Sequence, residues 1–366
     1  MKSTFLTFLN RLLALLLTFV LTSCQFGFMS FDEEKAPQKQ ALNFSEDPAL
    51  LPSRILIKSR KAELGLTLCE PVDVSVATAV NRGSSIEVRL KSSIVVNLEA
   101  TGQGGNFYTT SNCSGASMTS IPMNAGESRK LIYYKPTNYD YNQATSNPVA
   151  FSASSRGFTS EIGRSEVKRV VTALRFNGNP SSANVGVCAS GLTVTSVDGL
   201  GNPFTRGTET QISLGVNFEA KFYTGNDCVN ETTSISIPAN NTTTGNLSFK
   251  VTSINTNSRV ITSSLAVSDP IVSNGTSTIA VTRTATALTF DSAPATLNVG
   301  VCSASFTVTS RDGLGNPFSE NNKTVNLSSA SNGQFFTSLS DCQSGSNIRT
   351  SVAVSSASPS AAMFFK

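Results

Sequence analysis

"ALRFNGNPSSANVGVCASGLTVTSVDGLGNPF" runs from Ala173 to Phe204, and "ALTFDSAPATLNVGVCSASFTVTSRDGLGNPF" runs from Ala287 to Phe318. The two stretches align without a gap at an offset of 114 residues. A fixed period of this kind marks a chain that uses one supersecondary unit repeatedly. Apolar residues alternate within each copy: Val185, Val187, Leu192 and Val194 in one, Val299, Val301, Phe306 and Val308 in the other. A period of two predicts strands with one buried face. "DGLGNPF", at Asp198 and again at Asp312, is a turn phrase. Gly supplies positive φ there, and Pro fixes φ for the entry to the next strand.

A more diverged copy opens at Arg54 with "RILIKSRKAELGLTLCEPVDVSV", in which Cys69 matches Cys188 at an offset of 119. Its turn phrase is replaced by "AVNRGSS". The second halves match as well. "FYTTSNC" ends at Cys113, "FYTGNDC" at Cys228 and "FFTSLSDC" at Cys342. Each is followed by a Ser/Thr-rich stretch and an apolar run closing on lysine: "LIYYK" to Lys135, "NLSFK" to Lys250 and "AMFFK" to Lys366. About seven to nine short strands per unit, with Gly, Asn, Pro and Ser turns between them, predict an all-β chain of tandem antiparallel β-sandwiches. No amphipathic helix is expected after residue 24. The boundaries expected are 54–172, 173–286 and 287–366. After Lys250 the second copy runs on through Thr286, whereas the third stops at Lys366, inside the corresponding strand. The third unit is therefore expected to be incomplete, and the chain to be an amino-terminal fragment of a longer array or a truncated gene product. An immediate stop codon after Lys366 would contradict that expectation.

The chain has seven cysteines, and six of them fall as one pair per copy: Cys69 with Cys113, Cys188 with Cys228, and Cys302 with Cys342. Each folding unit contains its own two, so the repeat selects one pairing among the 15 that six cysteines allow. In an oxidising compartment such pairs form disulfides. One pair per unit, with no histidine anywhere, cannot supply four soft metal ligands. A redox pair would sit at short spacing such as C-x-x-C, which is absent.

The seventh cysteine, Cys24, ends the leader "MKSTFLTFLNRLLALLLTFVLTSC". Lys2 and Arg11 give it a basic start, and Leu12–Leu21 is apolar apart from Thr18. About ten apolar residues are too few to span a bilayer, which takes roughly twenty, but they suit a signal peptide. "LTSC", Leu21 to Cys24, resembles the lipobox of bacterial lipoproteins. That resemblance implies cleavage after residue 23 and a diacylglycerol and an acyl chain (palmitate) on Cys24, hence a membrane partner through the lipid. The competing reading is an ordinary secretory leader with a chance cysteine. Gln25, where an Asp would retain the protein at the inner membrane, points to the outer membrane and surface exposure. Residues 24–53, with the charge cluster Asp32–Lys35, are expected to form a tether.

The strand, the D-G-x-G-N-P turn and the following strand resemble the immunoglobulin-like repeats of invasin and intimin type found in bacterial surface proteins. The resemblance covers 54–366 and implies surface display in adhesion or as a stalk, with a host, prey or envelope surface as ligand. It supplies no catalytic residues. The alternative is a spacer for an enzymatic or receptor domain lying downstream.

Composition narrows the function further. Histidine is absent, which removes the commonest general base and neutral metal ligand. Without Lys2 and Arg11 there are 26 basic residues against 24 acidic ones. So balanced a charge does not suggest nucleic-acid binding. There is no G-x-S-x-G and no glycine-rich phosphate loop, so no enzyme and no cofactor is expected. Asp198, Asp312, Asn202 and Asn316 offer oxygens for Ca²⁺, but calcium takes six to eight, and a plain turn is the stronger reading. Phe107, Tyr108, Phe222, Tyr223, Phe335 and Phe336 alternate on strands, so at least half belong to the core. "YYKPTNYDYNQ" holds four of the six tyrosines and occurs only in the first copy. Tyrosine-rich loops suit partner recognition, which makes Tyr133, Tyr134, Tyr139 and Tyr141 candidate contacts.

Overall fold

The computed structural model describes residues 51–79, 85–143, 146–178, 180–254, 259–266 and 268–366. The leader, Cys24 and the tether up to residue 50 lie outside them, as does most of "AVNRGSS". Strands and turns make up nearly all of the described residues, in three successive pairs of sheets.

In the first pair, one sheet orders Thr159–Ser160, Arg54–Ser59, Glu70–Ala79, Arg129–Pro136 and Gly105–Tyr108, with Ser85–Glu87 added on Glu70–Ala79. The facing sheet orders Glu63–Gly65, Gly163–Lys168, Pro148–Ser154, Ile94–Gly102 and Ser120–Met123. The second pair sets Val171–Asn177, Cys188–Asp198, Leu247–Val251, Ala220–Thr224 and Asn230–Thr232 against Ser182–Asn184, Gly275–Thr282, Arg259–Leu265, Thr210–Val216 and Ser234–Ile237. The third sets Ala285–Asp291, Phe306–Asp312, Ser360–Phe365 and Phe335–Phe336 against Lys323–Asn326 and Ser351–Val354.

Ladders are antiparallel except at three short places. Arg54–Ser59 pairs parallel with Thr159–Ser160, Glu63–Gly65 with Gly163–Lys168, and Ser182–Asn184 with Gly275–Thr282. The physical cause is sheet switching. The opening segment of a unit begins in one sheet and crosses to the other a few residues later, beside a strand running the same way. All-β sandwiches are the fold class, as the alternation predicts.

The recurring aromatic phrase is a core device. Phe107 lies opposite Tyr134, Phe222 opposite Phe249 and Phe335 opposite Phe365, each pair joining the phrase to the closing apolar run. Ring centroids are 5.1, 6.4 and 4.9 Å apart, within the range in which tilted aromatic pairs attract beyond their burial. Phe107, Phe222, Tyr223, Phe335 and Phe336 are buried. The three disulfides are Cys69–Cys113, Cys188–Cys228 and Cys302–Cys342, with Cα–Cα distances of 5.6, 5.8 and 6.0 Å. Each ties the start of a long central strand, or the residues just ahead of it, to the segment that follows the aromatic strand.

One local expectation fails. Leu339–Ser344 is a short helix, with the Ser338 hydroxyl accepting from the Asp341 amide at its start and Gly345 in the left-handed region at its end. "FFTSLSDC" carries one more residue between aromatics and cysteine than "FYTGNDC" does. The helix takes up that residue and keeps Cys342 on Cys302. In the other two copies the cysteine instead sits in a turn at positive φ, at Cys113 and Cys228. Among the described residues, no helix is long and apolar enough to cross a membrane.

Candidate functional site

The arrangement that recurs is a clasp where one pair of sheets meets the next. At the first junction Arg169, between the Gly163–Lys168 and Val171–Asn177 strands, donates from Nε to Asp198 Oδ2 at 2.7 Å and from Nη2 to the Pro203 carbonyl at 2.8 Å. Its guanidinium lies 4.4 Å from the centroid of the Phe204 ring, a cation–π distance. At the second junction Arg283 donates to Asp312 Oδ2 at 2.8 Å and to the Pro317 carbonyl at 3.4 Å, and lies 4.3 Å from the Phe318 ring. The same four residue types meet at the same offset of 114.

The turn phrase builds the acceptor half of each clasp. Asp198 Oδ1 accepts from the Leu200 and Asn202 amides, both at 3.0 Å. Asp312 Oδ1 accepts from the Leu314 and Asn316 amides, both at 2.9 Å. One oxygen therefore folds the turn while the other holds the arginine. Both side chains are fully buried, whereas the arginines keep about a fifth of their surface exposed. Burial pushes the Asp312 carboxyl up, but the Asn316 amide, Arg283 and the Leu314 amide outweigh it and hold the pKa below the ordinary aspartate value. Both oxygens of each carboxylate are thus engaged by the turn and the arginine. Among the described residues no group of three or more acidic, cysteine or histidine side chains is placed to hold a metal.

The glycine after each aspartate presses on the preceding unit. A Cβ on Gly313 would lie 2.3 Å from the Val185 carbonyl oxygen, and one on Gly199 would lie 1.6 Å from Thr67 Oγ1. No larger residue fits at these approaches. Leu314 packs on the second core beside them. Thr284, next to Arg283, donates its amide to Asn184 Oδ1 at 3.0 Å and accepts from Asn184 Nδ2 on its hydroxyl. The linker is thus fixed on both sides, by Thr284 to the second unit and by Arg283 to the third.

Of the four tyrosines read as candidate contacts, Tyr134 departs from that reading. Tyr134 is no surface residue: it is fully buried, donates its hydroxyl to the Gln103 carbonyl at 3.0 Å, and meets the Phe151 ring at 4.9 Å. Burial pushes its phenol up to about 12. It alternates inward on the Arg129–Pro136 strand, and Tyr133, its neighbour, is half-buried there. Tyr139 packs against the first core and against Tyr141, 5.3 Å away. Tyr141 reaches the clasp: its hydroxyl donates to Asp198 Oδ2 at 3.0 Å and accepts from Asn202 Nδ2 at 2.6 Å, and Arg169 lies 4.9 Å from its ring. Burial and the bond to Asp198 raise its pKa, opposed by Asn202. The partner of Tyr141 is the next unit of the same chain.

Arg169 and Arg283 are the functional residues that sequence reasoning missed. The signal was there: "VKRVVTALRF" and "VTRTATALTF" share Val, Arg and Thr at the common offset, a few residues upstream of the stretch first aligned.

No protein-family model and no curated protein matches this chain. Among solved structures it is similar to the D00-D0 domain of intimin, at 10% identity and a TM-score of 0.28 over 62% of this chain and 99% of that one. It is also similar to FdeC, an Escherichia coli adhesin, at 10% identity and a TM-score of 0.29 over 64% of this chain and 66% of that one. A β-glycosidase from Bacteroides vulgatus matches at 12% identity and a TM-score of 0.22, and the chain spans a quarter (25%) of its length. Likeness of this degree carries no argument, and the functional reading rests on the clasp.

Proposed function

We propose that the chain is an exported bacterial envelope protein, lipid-anchored through Cys24, whose immunoglobulin-like repeats form a stiff surface stalk working in adhesion. The observation that carries the reading is the twice-used clasp. A connection that is only a tether needs no buried carboxylate, no arginine forked between a side chain and a carbonyl, and no glycine-only approach. Two of each support a joint selected to hold one unit on the next. Three disulfides suit an oxidising, extracytoplasmic setting, and "LTSC" supplies the anchor.

Three measurements test the proposal. Labelled palmitate should enter the wild-type protein and not Cys24→Ser, and the repeats should be removed from intact cells by external protease. Small-angle scattering should give one extended, sharply defined particle for the wild type, and a broader distribution for Asp198→Asn with Asp312→Asn. Protease resistance on intact cells would refute surface display, and an unchanged scattering profile would refute the stiffening role of the clasp.

A further inference from the structure

Asp73 is an outward residue that is nevertheless buried. Along Glu70–Ala79, Val72, Val74 and Val76 enter the first core, and Asp73 alternates with them onto the opposite face. Two arginines cover it there. Arg60 forks onto it, Nε to Oδ2 at 2.8 Å and Nη2 to Oδ1 at 2.9 Å, and Arg129 Nη2 donates to Oδ2 as well. Burial pushes the Asp73 carboxyl up, but the two arginines outweigh it and hold the pKa below the ordinary aspartate value. Asp73 keeps 9% of its side chain exposed, whereas Arg60 and Arg129 keep 49 and 50%. One carboxylate thus holds two guanidinium groups whose outer edges face water. Among the described residues, Arg60 Nη1 and Arg129 Nε and Nη1 have no hydrogen-bond partner. Lys58, opposite Asp73 in the ladder, is exposed and forms no ion pair among the described residues. A cavity of about 410 Å³ opens beside these cations, with Glu87 on its wall. Lys58, Arg60 and Arg129 outnumber Asp73 and Glu87, so the site is net positive.

The sandwich does not require this cluster. Lys58–Asp73 sits beside Ile57–Val74 in the ladder of the first unit. At the same place the second unit has Asn177–Thr193 beside Phe176–Val194, and the third has Asp291–Thr307 beside Phe290–Val308. Two units build the sheet with threonine where the first buries a carboxylate, and a buried ion pair is weak evidence for a stabilising role. The same face continues into aromatic surface. Leu131 lies opposite Asp73, Tyr133 opposite Pro71 and Tyr108 opposite Tyr133. Leu131 is exposed and both tyrosines are half-buried. Alternate residues of a strand stand about 7 Å apart, so the tyrosine pair lies about one sugar ring from the arginines.

We propose that this face of the first unit binds a carboxylated glycan, its carboxylate seated on Arg60, Arg129 and Lys58 and the neighbouring sugar ring against Tyr133 and Tyr108. Guanidinium takes a carboxylate through paired N–H bonds, and tyrosine offers rigid, amphipathic contact area. A small surplus of positive charge beside an aromatic pair suits a single carboxylate on a flat ring, and not the run of charges of an acidic peptide. The inference deepens the adhesive role proposed above by naming its ligand class, and rests on that reading only for where the ligand is met.

The test uses the purified full chain and two probes, sialyllactose and a hyaluronate tetrasaccharide, read by calorimetry and by the Nε–H resonances of Arg60 and Arg129. The expected result is saturable binding of at least one probe, movement of both arginine resonances, and no binding of lactose, which lacks the carboxylate. The probe that binds identifies the carboxylate as that of a sialic or a uronic acid. Arg129→Gln should bind at least about tenfold more weakly, the loss expected for a charge-assisted contact. Lys58→Gln, at an exposed position, should also weaken binding while melting as the wild type does. The proposal is overturned if neither probe binds, if lactose or polyglutamate binds as well as the acidic sugar, or if the arginine resonances stay still at saturation. Wild-type affinity in both variants overturns it too. Because binding is read in solution, each of these outcomes bears on the ligand and leaves surface display and the clasp to their own measurements.

Discussion

Replacing Asp312 by Asn should loosen the second junction and the third unit together. The substitution keeps an oxygen for the Leu314 and Asn316 amides but removes the charge that Arg283 faces at 2.8 Å. Breaking a buried pair costs about 3–5 kcal/mol. The lower end applies here, because a fifth of Arg283 still reaches water, so the expected loss is about 3 kcal/mol. Asp312→Ala also strips two amides of their acceptor, each worth about 1 kcal/mol, for a total of about 5. In a unit of this size each kcal/mol moves Tm by about 4–8 °C, so Asp312→Asn should lower the transition of the third unit by at least about 12 °C. Calorimetry reads that shift, and hydrogen exchange at the Leu314 and Asn316 amides locates it. The pH dependence gives a second check. The folded pKa of Asp312 is depressed, so its contribution is complete above the ordinary aspartate pKa near 3.9 and is lost as pH falls through the lower folded value. Wild-type protein should therefore lose its advantage over Asp312→Asn only in acid. The reasoning fails if Asp312→Asn melts within a degree or two of wild type at neutral pH, or if the difference between them persists unchanged in acid.

Tyr141→Phe should weaken the first junction by about 1 kcal/mol, the value of a hydrogen bond to a charged partner that has others, and should leave the second junction unchanged; exchange at the Leu200 and Asn202 amides reports it. Tyr134 has a folded pKa of about 12, so its contribution is intact up to the ordinary phenol pKa near 10 and is lost as pH rises from about 10 to about 12, roughly 2–3 kcal/mol in all. Alkaline unfolding of the first unit should be shallower in Tyr134→Phe. Reducing a disulfide that closes a loop of 40 residues should cost about 4 kcal/mol by the chain-entropy estimate. Urea titration of Cys188→Ala with Cys228→Ala checks it, and an unchanged midpoint would contradict it.

The sandwich was legible because alternation and a 114-residue period are one-dimensional signals. Val185, Leu192 and Val194 read as inward residues from spacing alone and are buried, but Val187, Val299 and Val301, read in the same alternation, are exposed, because the residues ahead of each cysteine form a turn and not a strand. The cysteine pairs were legible for the same reason, since the period places both partners in one unit. The clasp was only half legible. The turn phrase announced Asp198 and Asp312 as turn formers, but the second oxygen of each carboxylate answers to an arginine 29 residues upstream, a separation that no local pattern encodes. Tyr134 shows the converse error. A cluster of tyrosines looks like a surface in composition, yet strand parity put Tyr134 inside, and parity could have been counted from Ile132 on the same strand. The helix at Leu339–Ser344 was hidden because a single inserted residue carries too little periodicity to announce a turn of helix.

The clasp also bears on how the protein ages. Asp198–Gly199 and Asp312–Gly313 are Asp-Gly sequences, the aspartyl pairing most prone to cyclise to a succinimide and reopen as isoaspartate. Cyclisation starts from the protonated acid, with the glycine nitrogen swinging onto the side-chain carbon. At Asp312 the depressed pKa makes the protonated form scarce. At both sites two turn amides and an arginine hold the carboxylate in one orientation. Peptide mapping after warm storage should find isoaspartate accumulating at Asp198 and Asp312 in unfolded chain and scarcely in folded chain. The clasp would thereby shield the two Asp-Gly bonds on which it is built.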